Sequence, residues 1–111
     1  MGILTRLRLR RRWRVAVRLG SVLDVPDRIG LRRAAIVGFP AHEKWLAFDC
    51  PCRQGHRVVL NLDPGNRPCW RVDSLVPLTL TPSIDEHSRV GHCHYLVRDG
   101  RVIWVERSRN R

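Results

Sequence analysis

Lysine, methionine and long apolar runs are nearly missing from this chain. Lys44 is the only lysine and Met1 the only methionine. No apolar stretch approaches the roughly 18 residues of a spanning helix, which excludes a helical membrane protein. No stretch keeps a 3.6-residue hydrophobic period with caps, so no long amphipathic helix is expected. The Gly-rich phosphate loops of nucleotide-binding proteins are absent, as is the His-Glu-x-x-His of zinc proteases. The deaminase pattern, His-x-Glu with Pro-Cys-x-x-Cys, is absent too. There is no internal repeat, no low-complexity linker and no apolar leader. A cytoplasmic chain is therefore expected. Acids are scarce: Asp and Glu total 10 against 21 Lys and Arg, a net charge of +11.

What is there suits one small globular domain. The 111 residues are 43% hydrophobic and 28% charged, which is globular rather than disordered composition. The basic character is carried by arginine and is concentrated at the start, where residues 1–20 hold no acid. Read at 180° per residue, Ile3, Thr5, Leu7, Leu9, Trp13, Val15, Val17 and Leu19 share one side. Arg6, Arg8, Arg10, Arg12, Arg14 and Arg18 share the other. That alternation predicts one half-buried strand or a bent pair over residues 3–19, with an arginine ladder outward. A helical wheel scatters the same arginines and leaves no clean apolar face.

The rest of the chain is also strand-rich. Ala34-Ala35-Ile36-Val37, the stretch from Trp45 to Asp49, and the stretch from Arg57 to Leu62 read as strands. So do Pro68 to Asp73 and Leu75 to Thr81, the latter broken by Pro77. Phe39 to Lys44 and Asp63-Pro64-Gly65-Asn66 read as turns. One short helical turn is expected near Pro26–Leu31, and Asp85 to Gly91 reads as a polar loop. His94 to Arg98 and Arg101 to Val105 flank Asp99-Gly100, the signal of a type I′ hairpin in which glycine supplies positive φ. The expected fold class is mainly β: a small single-domain antiparallel sheet with a zinc-ribbon-like metal site. Residues 1–20 form its arginine-rich strand, residues 21–105 the zinc-ribbon-like β domain, and residues 106–111 a frayed basic tail.

The cysteines and histidines carry most of the chemistry. Cys50-Pro51-Cys52-Arg53-Gln54-Gly55-His56 is one cluster and His92-Cys93-His94 the other. Paired cysteines in a chain without a secretory leader point to metal before disulfide. Zinc takes thiolate and imidazole ligands at tetrahedral corners, and Arg53 and Arg57 nearby would favour the thiolates. The quartet expected is Cys50, Cys52, Cys93 and His94, holding Zn²⁺. Cys93 and His94 are neighbours in a presumed strand, where side chains alternate faces. His92 and His56 therefore stay open as the fourth ligand. Cys69, between Pro68 and Trp70, is expected to be a packed core thiol, and Trp70 and Trp104 to fill the core.

Phe48-Asp49-Cys50-Pro51-Cys52-Arg53-Gln54-Gly55-His56, with the apolar strand that follows, resembles a bacterial and phage family of small proteins of unknown function. That family typically shows Cys-Pro-Cys-Gly-Cys-Gly-His. The resemblance continues in Arg67-Pro68-Cys69-Trp70, Leu78-Thr79-Leu80-Thr81-Pro82-Ser83-Ile84, Cys93-His94-Tyr95 and Arg98-Asp99-Gly100-Arg101. It implies a zinc-binding β domain, and a place beside bacterial ubiquitin-like conjugation genes, where some members are encoded. Cys50, Cys52 and His94 fall on the family's recurrent positions. Gln54 stands where the family has a third cysteine, and Arg53 where it has glycine.

The function expected is a non-catalytic, zinc-stabilised binding or adaptor protein, with a ubiquitin-like conjugation system as the setting the resemblance implies. Arg6, Arg8, Arg10, Arg12 and Arg14 would meet an acidic protein partner. The alternative is nucleic-acid binding, because arginines on one strand face recur about every 6.6–6.8 Å, close to phosphate spacing. A membrane role is not expected. Enzyme candidates are weaker: Cys50 with His56, or Ser83 with His87 or His92, as nucleophile and base.

Overall fold

The computed structural model describes residues 11–89 and 91–105. They form nine strands and one short 3₁₀ turn, and no α-helix. None of the described residues makes a helix able to cross a membrane. The strands are β1 (Arg14–Leu19), β2 (Arg33–Phe39), β3 (His42–Asp49), β4 (Arg57–Asn61), β5 (Arg71–Leu75), β6 (Leu78–Thr81), β7 (Ile84–Ser88), β8 (Gly91–Arg98) and β9 (Arg101–Trp104). They fall into a four-stranded sheet in the order β1-β2-β3-β4, a β5-β6 hairpin and a β7-β8-β9 meander. The fold is mainly β, as its alternating patterns require. All pairings are antiparallel except β1 with β2, which is parallel.

β2 explains why its sequence is an apolar run instead of an alternation. Ala34 and Ile36 point into the main core with Leu46, Phe48, Val58 and Leu60. Ala35 points the other way, into a smaller cluster with Ala47 and Ile29. A strand covered on both faces has no polar side to show. The main core also takes Leu78 and Leu80 from β6, Ile84 from β7, and Tyr95 and Val97 from β8. Each such side chain contributes about 1.5–3 kcal/mol by leaving water.

The three sheets meet at a ring of backbone hydrogen bonds. The Trp13 N–H donates to the Gly100 carbonyl at 2.8 Å, the Gly100 N–H to Leu78 at 2.7 Å, and the Leu78 N–H to Trp13 at 2.9 Å. Gly100 has a φ of 75°, and a Cβ there would come within 2.5 Å of the Arg12 Cβ. Only glycine meets both demands. The Asp99-Gly100 turn therefore closes the last hairpin and also anchors the start of β1. Both of its residues have positive φ, as a type I′ turn needs.

Several expectations are corrected. Of the strand expected over residues 3–19, residues 3–10 lie outside the described residues, so Arg6, Arg8 and Arg10 of the arginine ladder do too. Within the described part the strand begins only at Arg14. A bulge between Val15 and Val17 breaks the alternation, leaving Val17 exposed. Arg12 sits in the bend before the strand, and Arg18 pairs with Glu43 at 2.9 Å. The helical turn lies earlier than expected, at Val22–Asp24. Pro77 sits in the two-residue turn between β5 and β6 instead of breaking a strand. Trp104 is half exposed at an edge, with its ring 5.1 Å from that of Tyr95, while Trp13 is the tryptophan buried in the core. The stretch read as a polar loop after Asp85 is largely strand β7.

Candidate functional site

The β7-β8 hairpin sets its register by pairing Ile84 with Tyr95, Asp85 with His94, Glu86 with Cys93 and His87 with His92. Strand side chains alternate faces. Ile84, Glu86, Cys93 and Tyr95 therefore face inward, and Asp85, His87, His92 and His94 face outward. Glu86 is the polar residue at an inward position, and that disguised the strand in the sequence.

The Cys50–His56 turn folds against the inner face. The Cys50 N–H donates to the His56 carbonyl at 2.7 Å, and the Gly55 N–H to the Cys52 carbonyl at 3.1 Å. At its base Asp49 accepts the Ile29 and Gly30 amides and the Arg57 guanidinium. Arg57 also donates to the Pro26 and Asp27 carbonyls at 2.8 Å. The donor atoms of Cys50, Cys52 and His56 lie within 4.8 Å of one another. The buried Cys93 thiol lies beside this group and feels those of Cys50 and Cys52 electrostatically. His56 Nδ1 lies 3.4 Å from Cys52 Sγ, and His56 Nε2 donates to Glu86 Oε1 at 2.5 Å.

The electrostatics of this cluster are lopsided. Burial pushes the Cys50 thiol up to about 12, against the opposing Cys52 amide and Tyr95 hydroxyl. Burial also raises Cys93. At Cys52 burial is outweighed by the Gly55 amide, the Cys50 thiol and the Gln54 amide, and its pKa falls to about 7. Backbone donors, then, favour the Cys52 thiolate, while Arg57 serves Asp49 and the neighbouring loop. Burial opposes charge on His56, yet the Glu86 carboxylate prevails and raises its pKa. A divalent ion would remove the conflict, because a coordinating thiol is deprotonated outright. Three thiols and one imidazole suit Zn²⁺. A carboxylate on the far nitrogen of a liganding histidine is the usual way such a ring is oriented.

His94, expected among the ligands, lies on the other face of β8 from Cys93. Its Nε2 is 3.1 Å from Ser83 Oγ. His56, also left open as the fourth ligand, stands beside Cys50 and Cys52. Ser83 sits just before β7, half-buried, with its carbonyl accepting the Trp70 indole N–H at 3.2 Å. Asp85 lies opposite His94 in register and accepts a hydrogen bond from His92 Nε2, which lowers its carboxyl pKa. Cys69 lies apart, its Sγ 3.6 Å from the Trp70 carbonyl. All four cysteines are free. The sequence paired Ser83 with His87 or His92. The register that would have chosen His94 was hidden with β7.

Fold and site together define a class: a small β domain with a thiol–imidazole cluster inside one hairpin and a serine–histidine pair outside it. The chain belongs to the BubE family, described as a bacterial ubiquitination-like system serine protease, which residues 21–105 match. No curated protein and no solved structure matches the chain. Membership links it to a bacterial ubiquitination-like system, in line with the setting the resemblance implied. The family's description as a protease runs against the expectation of a non-catalytic chain.

Proposed function

We propose that this chain is a serine hydrolase of a bacterial ubiquitination-like system, with Ser83 as nucleophile and His94 as its base. The observation that carries the reading is the 3.1 Å approach of Ser83 Oγ to His94 Nε2, in a family described as serine proteases. That distance is within the reach a nucleophile and its base require. Neutral His94 with its proton on Nδ1 accepts the Ser83 hydroxyl proton at Nε2 as Oγ attacks a carbonyl carbon. The imidazolium then returns the proton to the leaving group, and water repeats the sequence on the acyl-enzyme. Asp85, on the same face, favours the positive charge His94 acquires. The substrate class is an acyl bond of a ubiquitin-like protein, as precursor or conjugate.

Cys50, Cys52, His56 and Cys93 would hold Zn²⁺, with Glu86 orienting His56. The ion's role is structural: it ties the mid-chain turn to the inner face of the hairpin whose outer face carries the pair. In small zinc peptides such binding supplies roughly 10–16 kcal/mol of apparent folding energy, as much as several buried side chains. The arginines at positions 6, 8, 10, 12 and 14 would guide an acidic partner protein to the site in the cytoplasm.

Labelling with a fluorophosphonate, which reacts with activated serines, tests the reading. Ser83 is expected to be modified in the wild type, and His94→Ala to abolish the reaction while bound zinc is retained. A folded, zinc-loaded wild type that never labels and cleaves no ubiquitin-like precursor would overturn the hydrolase reading. It would leave the non-catalytic adaptor in its place.

A further inference from the structure

We propose that the outer face of the β7-β8 hairpin holds a second divalent transition-metal site, formed by Asp85, His87 and His92, whose occupancy slows the Ser83–His94 pair. The slowing rests on the hydrolase reading; the binding does not. Donor atoms of the three residues lie within 4.8 Å of one another. His87 and His92 are direct partners across the two strands. Their rings stack at 3.9 Å with only 7° between planes. His92 Nε2 hydrogen-bonds to Asp85 Oδ1, and His87 Nε2 lies 3.8 Å from that same oxygen. Two imidazoles and one carboxylate thus converge from a paired hairpin, where register fixes their spacing.

The chemistry differs from that of the inner cluster. Two nitrogens and one oxygen, without sulfur, suit Zn²⁺, Ni²⁺, Co²⁺ or Cu²⁺. The His87 side chain is 75% exposed and that of Asp85 51%. An ion can therefore reach the site from water, keep water in its remaining positions and leave again. Binding here would be weaker than at the buried thiols, which suits a reversible control. Asp85 joins this site to the pair, because it stands opposite His94 in register. An ion that engages its carboxylate would neutralise it. The His92 and His94 rings are 6.2 Å apart, so the ion would also place positive charge beside the base.

The test is equilibrium dialysis of the full, zinc-loaded chain against excess Zn²⁺, followed by counting of bound ions. The wild type is expected to hold two per chain and His87→Ala one. One ion in both, or two in both, would overturn the site. His87 lies outside the Ser83–His94 pair, so the variant should label with fluorophosphonate at the wild-type rate when zinc is not in excess. Excess Zn²⁺ should slow wild-type labelling at least about tenfold, well short of the full loss of a triad acid, and leave His87→Ala unchanged. Equal slowing in both, or none in a wild type holding two ions, would overturn the regulatory part. Absence of labelling under every condition would reject the hydrolase reading, and the ion count would still decide the site.

Discussion

On the inner face of the β7-β8 hairpin, Glu86 and Cys93 stand opposite each other, Cys93 buried and Glu86 partly so. On the outer face, Asp85 and His94 stand opposite each other beside Ser83. Both faces join a carboxylate to an imidazole, yet the surroundings set different chemistry. Inside, Glu86 holds His56 beside three thiols, two of them raised by burial. That environment could hold a cation. Outside, the groups meet solvent and a serine hydroxyl, an environment for proton transfer. On the proposed reading, one strand pair divides a structural task from a chemical one because its side chains alternate.

The sharpest way to break this comparison is to damage each face separately. Ser83→Ala should lower cleavage of a ubiquitin-like precursor by about 10⁴-fold, with zinc content and Tm unchanged. Cys93→Ser should release the ion and drop Tm by more than about 10 °C, because a few kcal/mol shifts a small domain that far. Metal analysis and a calorimetric scan check both. Glu86→Gln should keep the fold but weaken zinc roughly 10–100-fold in competition with a chelator, as removal of an orienting partner does.

A subtler effect concerns the thiols after the metal is stripped. Cys52, depressed to about 7, should be alkylated by iodoacetamide with a rate midpoint near that pH. Cys50, raised to about 12, should stay unreacted below pH 9. The sign for stability follows. The folded pKa of Cys52 lies below its ordinary value of 9.0, so its ionisation stabilises the metal-free fold fully above that value. The contribution is lost as pH falls through about 7. Mass-spectrometric mapping of alkylated peptides separates the two residues.

The last hairpin and the grouping of Cys50, Cys52 and Cys93 were legible in the sequence because each rests on local chemistry: a glycine at positive φ, and thiols that need a common partner. The histidine beside those thiols was left open between His94, His92 and His56. His94 and Cys93 are adjacent, and the strand rule warned that they face apart, but placing His56 beside the thiols required Glu86. Glu86 could be placed only once β7 was known to be a strand. The Ser83–His94 pair was missed for the same reason, since register across β7 and β8 brings these residues together. Within the described residues the arginine alternation does not hold through β1, because the bulge between Val15 and Val17 shifts it. Trp104 reads as core by composition, yet β9 is an edge strand and leaves it half exposed.

The central claim is that the two histidines serve opposite faces: His56 the ion, His94 the serine. Zinc content of purified His56→Ala and His94→Ala, determined side by side, tests it most directly. The account expects His94→Ala to retain one tightly held ion per chain and His56→Ala to lose it. Loss of zinc from His94→Ala with retention in His56→Ala would contradict the account and restore the quartet the sequence alone suggested.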